Sequence, residues 1–276
     1  MLAFERVGAG EPLVLVHGIG HRRQAWYPVL DQLAEHREVI LVDLPGHGES
    51  DPLVTEGRPI QDVLGEQFRH FLADQQLCRP HVAGNSLGGR IALEAGAAGD
   101  ARSVTALAPA GFWRSDRGFA YTHRLFATMV GLSRRLQPEA PLMARGKLGR
   151  AVMFGLVTTH PGNIDSERAL GDFRAFTAAL PALREIISQA TPFAAEIPDS
   201  VPVTIAWGTR DLVLPIYQAR VARGALPVAT HLRLPGCGHV PMSDDPELVA
   251  RVLLDGSAPV PGFVPVDGVI SAPPGT

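Results

Sequence analysis

Cysteine is scarce in this sequence: Cys78 and Cys237 are the only two in 276 residues. Two widely separated thiols build neither a disulfide framework nor a thiolate metal site, and they fit a reducing compartment. Long apolar runs are also missing. A bilayer span needs ~20 consecutive apolar residues, and the nearest approach, Leu125 to Leu132, is far shorter. The opening Met1-Leu2-Ala3-Phe4-Glu5-Arg6 places a charge pair where a signal peptide requires an apolar stretch. Charge of one sign is lacking as well. A net charge of −3 and a pI near 6.4 give no reason to expect nucleic acid or an anionic membrane as partner. There is no internal repeat. The expectation is a cytoplasmic protein with a small-molecule substrate and no nucleic-acid or membrane partner; oligomeric state stays open.

What is present is a core-forming composition, 46% hydrophobic, ample for one α/β domain or a core with an insertion. Leu13-Val14-Leu15-Val16 and Val39-Ile40-Leu41-Val42 are continuous apolar runs, as expected of strands buried on both faces. A helical stripe over Gln24 to His36 separates them, and another spans Ile60 to Leu77. Short strands follow at His81 to Ala83 and Ser103 to Ala108, with a helix over Gly88 to Ala98 between them. The rhythm resumes with a strand at Val203 to Trp207, a helix over Pro215 to Gly224, a strand at Thr230 to Leu234 and a helix over Pro246 to Leu254. Strands alternating with helices predict an α/β fold with a mostly parallel central sheet flanked by helices. Between residues 110 and 202 the strand rhythm stops. Helical pieces such as Tyr121 to Leu136 and Asp165 to Leu180, punctuated by prolines, predict a helical insertion over the sheet. The expected division is a core of residues 1–109 and 203–255, an insertion of 110–202, and a Pro/Gly-rich tail of 256–276.

The strongest chemical signal is Gly84-Asn85-Ser86-Leu87-Gly88, followed by Gly89, between a strand and a helix. A bare Gly-x-Ser-x-Gly is weak; in a strand-turn-helix setting it is the pattern of a nucleophile elbow. The sharp turn presents the serine at the carboxyl edge of the sheet, and its neighbours must be small because helix and strand approach closely. A serine hydroxyl needs a base. His239, in Pro235-Gly236-Cys237-Gly238-His239 after the last predicted strand, is the candidate. His17, His21 and His47 compete from the same sheet edge. Asp211, after the Val203 to Trp207 strand, is the candidate to orient the imidazole. Asp244 and Asp245 precede Pro246 and are read as caps of the last helix. For the oxyanion, the backbone N–H of Leu87 is one donor, and that of Ile19, in the loop after the first buried strand, is the other. The order Ser86, Asp211, His239 is that of the elbow-bearing hydrolases. Cys237 is read as a packed side chain.

At this point the chain resembles the α/β-hydrolase fold family. His17-Gly18-Ile19-Gly20 is similar to the family's oxyanion loop, and Asp43-Leu44-Pro45-Gly46-His47-Gly48-Glu49-Ser50 to its turn after the following strand. The elbow and the Asp211 and His239 segments complete the set. The resemblance implies a structural role for His47 and makes residues 110–202 a helical cap over the substrate pocket. It implies no metal and no organic cofactor.

The resemblance also separates reactions. Dehalogenases and epoxide hydrolases of this fold use aspartate where Ser86 stands, which sets both aside. Carbon–carbon bond hydrolases of ring-cleavage products resemble Gly84-Asn85-Ser86 but continue Met-Gly-Gly, where this chain has Leu87-Gly88-Gly89. They also commonly carry an aromatic residue at the position of Val240. The first expectation is therefore a carboxylic-ester hydrolase acting on a small apolar substrate through an acyl-enzyme. Carbon–carbon hydrolysis, haloperoxidase-like perhydrolysis and a non-catalytic ligand-binding receptor remain alternatives. Phe112, Trp113, Phe119, Phe126, Met129, Phe154, Phe173 and Phe176 could supply an apolar pocket, with Trp113, Phe126 and Val240 chosen as its lining. Basic residues gather between Arg114 and Arg150. A solvated helical face accounts for them, with an acidic substrate tail as the alternative.

Overall fold

The computed structural model describes residues 1–258, so the expected tail lies, from residue 259 onward, outside the described residues. The described strands are β1 (Phe4–Gly8), β2 (Pro12–Val16), β3 (Glu38–Val42), β4 (His81–Asn85), β5 (Ser103–Leu107), β6 (Val203–Gly208) and β7 (Thr230–Leu234). They form one seven-stranded sheet in the order β1-β3-β2-β4-β5-β6-β7. β1 runs antiparallel to β3, pairing Phe4 with Val42, and the remaining pairs are parallel. β1 carries no strand signal of its own: Phe-Glu-Arg-Val-Gly is largely exposed, and its strand form depends on the edge it finds on β3.

Each central strand buries both faces, which explains its unbroken apolar run. On β2 and β3 the alternation of side chains sends Val14, Val16, Ile40 and Val42 to one side. There they pack with Phe68 and Phe71 of α2 (Ile60–Asp74) and Ile91 and Leu93 of α3 (Leu87–Ala98). Leu13, Leu15, Val39 and Leu41 go to the other side. They meet Trp26, Val29 and Leu33 around α1 (Tyr27–Ala34), and Val249 and Leu253 of α11 (Pro246–Gly256). Burying each such side chain stabilises the fold by about 1.5–3 kcal/mol.

The helix expected over 24–36 is a 3-10 turn at Arg23–Trp26 followed by α1, with Pro28 in the first helical turn. Between β5 and β6 the chain forms α4 (Asp116–Leu136), α5 (Ala140–Arg145), α6 (Lys147–Phe154), α7 (Ser166–Ala178) and α8 (Leu180–Ser188). The segment expected as one helix over 165–180 breaks at Ala179, and Pro181 opens α8, as suits a residue lacking an N–H. α9 (Tyr217–Ala225) and the short α10 (Pro241–Asp244) complete the elements. No helix among the described residues is long and apolar enough to cross a membrane.

The parallel strands end at one edge of the sheet. The chain turns outward from β2 to β3 and then crosses back to β4. The crevice between β2 and β4 is therefore a topological switch point, where open α/β sheets place ligands.

Candidate active site

Ser86 sits in that crevice, at the junction of β4 and α3, with φ 56° and ψ −113°. Positive φ is costly for a side-chain-bearing residue, and the surrounding glycines show what holds it. A Cβ on Gly84 would lie 2.2 Å from the Gly88 carbonyl, and one on Gly88 would lie 2.0 Å from the Val16 carbonyl oxygen. Only glycine lets β4, α3 and the end of β2 approach this closely. The Ser86 N–H donates to the Leu107 carbonyl at 2.9 Å, locking the turn onto β5.

Asp211 and His239 leave the ends of β6 and β7 and meet. His239 Nδ1 lies 2.8 Å from Asp211 Oδ2, both residues buried. Asp211 Oδ1 accepts the N–H groups of Val213 and Leu214, each at 2.8 Å. The carboxylate is thus fixed by its own loop and turns one oxygen to the ring. An acceptor at Nδ1 places the ring proton there and leaves Nε2 as the basic nitrogen. Ser86 and His239 border one cavity; no hydrogen bond joins them among the described residues.

Two supports escaped the sequence reading. The Asn85 carboxamide donates to the His239 carbonyl at 2.9 Å and to the Leu107 carbonyl at 3.1 Å, tying the histidine loop to the elbow. Asp244 is the second, and here the expectation of a helix cap fails for one of two residues. Asp245 does cap α11, accepting the Leu248 N–H. Asp244 instead accepts the N–H of Gly238 at 2.7 Å and those of Thr159 and His160 at 2.8 Å, besides the Thr158 hydroxyl. It joins the loop after α6 to the residue preceding His239. Both links are between segments distant in sequence, so no local pattern announces them.

The competing histidines are placed differently. His17 Nδ1–H donates to the Gly18 carbonyl and Nε2 accepts the Leu44 N–H; burial pushes its pKa down to about 4. His47 Nδ1–H donates to the Pro45 carbonyl and Nε2 accepts the Gly20 N–H, and burial pushes it down to about 3. Both rings therefore brace the two loops beside Ser86 in the neutral form. Below them Arg23 pairs with Asp43, Glu5 and Glu49. His21 borders the cavity, its shielded Nδ1 has no partner among the described residues, and its pKa is lowered, chiefly by burial. Burial raises the Cys237 thiol to about 12, which keeps it protonated.

The expected oxyanion donors flank the elbow. Ile19 borders the cavity, and the Leu87 side chain packs into the core while its N–H, the first of α3, has no intrahelical acceptor. The cavity has a volume of about 90 Å³, small beside the usual range for small-molecule sites. Phe126, Met129, Phe154, Phe173, Phe176 and Val240 line it. Trp113 does not, which corrects its choice as a pocket residue: its indole N–H bonds Thr122 Oγ1 and its ring packs edge-on against Phe119. Phe112 and Phe119 are likewise absent from the lining. Asp172, which the sequence did not single out, borders the cavity and pairs with Arg22 at 2.9 Å. Among the described residues no cluster of His, Cys, Asp or Glu is arranged as metal ligands.

Comparison with known proteins agrees with this architecture. The model of the alpha/beta hydrolase family matches residues 13–252. An uncharacterised protein of Mycobacterium tuberculosis is 30% identical over 261 residues, covering 88% of this chain and 74% of that protein. Lipase 3 of Moraxella sp. is 26% identical over 243 residues, covering 84% and 73%. The solved structure of a membrane phospholipase A, described as a bacterial virulence factor, superposes with a TM-score of 0.70 at 24% identity, covering 93% of this chain and 83% of that one. With the fold, the strand-end loops and the family match in agreement, the chain belongs to the alpha/beta hydrolase family.

Proposed function

We propose that this protein hydrolyses carboxylic esters of small apolar acyl groups through an acyl-enzyme on Ser86. One observation carries the reading: a buried Asp211–His239 pair and a serine held at positive φ border the same largely apolar cavity. Ser86 Oγ attacks the ester carbonyl as His239 Nε2 takes its proton, and Asp211 stabilises the imidazolium that forms. The N–H groups of Ile19 and Leu87 receive the oxyanion. The C–O bond then breaks as His239 returns the proton to the leaving alcohol. Water, deprotonated by His239, attacks the acyl-enzyme and releases the acid. Residues 110–202 act as the cap, and α4, α6 and α7 give the cavity its apolar wall. The similarity to a lipase over most of the chain supports an ester substrate.

The test is turnover of an aryl-ester series by wild type and Ser86→Ala, run beside a vinylogous diketone. Ester turnover lost in the variant supports the proposal. Diketone cleavage with inert esters would assign carbon–carbon hydrolysis instead, and stoichiometric binding without turnover would assign a receptor.

A further inference from the structure

The cavity opens on an unusual surface. Leu132 on α4 and Val152 on α6 both line it and are 37% and 47% exposed, so its mouth lies between these helices. One turn before Val152 on the same helix face, Leu148 is 81% exposed, and Leu142 on α5 is 68% exposed. α5 and α6 touch where Gly149 faces Met143: a Cβ on Gly149 would lie 2.1 Å from the Met143 carbonyl oxygen. Each leucine is one residue from that contact. Arg134 and Arg135 follow Leu132 on α4, Arg145 and Lys147 lie in the chain between Leu142 and Leu148, and all four are exposed.

The charge is segregated. Residues 114–150 carry eight basic side chains against two acidic ones, Asp116 and Glu139. The remainder of the chain holds 17 basic against 26 acidic residues, a net −9. The whole-chain value of −3 conceals this polarity. Arg150 turns inward to the Ala144 and Arg145 carbonyls; the other seven basic residues of the segment are exposed.

We propose that the α4–α6 face docks on an anionic lipid surface, Leu142 and Leu148 entering the acyl boundary while Arg134, Arg135, Arg145 and Lys147 meet the headgroups. Exposed large apolar side chains in a segment rich in exposed cations match the two attractions that hold a protein at such an interface. A second copy is a poor occupant, because an isologous pair would set these cations against themselves. With the mouth on the docked face, an amphiphile passes its apolar tail from the lipid into the cavity without crossing water. That last consequence rests on the hydrolase reading; docking itself does not.

The experiment is sedimentation of the full chain with vesicles of phosphatidylcholine alone and of phosphatidylcholine mixed with phosphatidylglycerol. Binding needs no turnover, so its failure is separate from failure of the hydrolase. Expected is binding to the mixed vesicles, weakened by salt and absent on neutral ones. Leu142→Asp/Leu148→Asp abolishes it, and Arg134→Glu/Arg135→Glu weakens it about tenfold or more. Both variants keep the wild-type melting temperature and wild-type turnover of a water-soluble short ester. Equal binding by wild type and both variants, or none, overturns the proposal. So does a dimer that Leu142→Asp/Leu148→Asp dissociates, or preference for a polyglutamate peptide over the vesicles.

Discussion

The Asn85 side chain hydrogen-bonds the backbone carbonyl of His239, 154 residues away, at 2.9 Å. The residue before the candidate nucleophile thereby fixes the loop that carries the candidate base. Asn85→Ala is expected to lower kcat roughly tenfold, the effect of losing about one buried hydrogen bond's worth of positioning. KM for a short ester stays nearly constant. Steady-state kinetics check this; a change in KM alone would mean Asn85 serves substrate binding.

Asp211 holds the ring proton of His239 on Nδ1. In Asp211→Asn an amide that turns its N–H to the ring favours the opposite tautomer and removes the charge facing the imidazolium. A loss in kcat of roughly 10³- to 10⁴-fold follows, with the fold intact by circular dichroism. Activity within tenfold of wild type would exclude Asp211 from the proposed role.

Asp244 joins the segment after α6 to Gly238. Replacing it by alanine strands buried N–H groups, each costing about 1–3 kcal/mol. Asp244→Ala is expected to lower both melting temperature and kcat, whereas Asp245→Ala, the loss of a helix cap, costs about 1 kcal/mol and leaves kcat unchanged. Thermal denaturation beside kinetics separates the two.

Acid sensitivity follows from His17 and His47, both buried and neutral, with pKa values pushed down to about 4 and about 3. Their unfolded values are about 6.5, so below that pH the unfolded chain binds protons the folded chain refuses. The stability they preserve is fully present above pH ~6.5 and is lost as pH falls toward 4 and then 3. Each contributes on the order of a few kcal/mol. Protonation would turn Nε2 of each ring into a donor facing a backbone N–H. Urea titrations across this range are expected to show midpoints falling steadily with pH; a flat profile would contradict the assignment.

The elbow could be read from sequence because its requirements are steric and local: Gly84 and Gly88 are small since β2, β4 and α3 leave no room. The central strands were visible because burial on both faces leaves only apolar residues. β1 was not, since Phe4 to Gly8 becomes a strand only by pairing with β3. Asn85, Asp172 and Asp244 acquire their partners through tertiary contacts, which no spacing encodes. Trp113 shows the converse limit. Its aromatic character suggested a pocket wall, yet Thr122 satisfies its N–H within the helical segment's own packing.

Ser86 is proposed to form the covalent intermediate. Intact-protein mass spectrometry after rapid mixing with an activated aryl ester, followed by peptide mapping, tests it most directly. The expected result is a single acyl adduct on Ser86, formed in a burst and decaying by hydrolysis, absent in Ser86→Ala. An adduct on another residue, or ester turnover undiminished in Ser86→Ala, would contradict it.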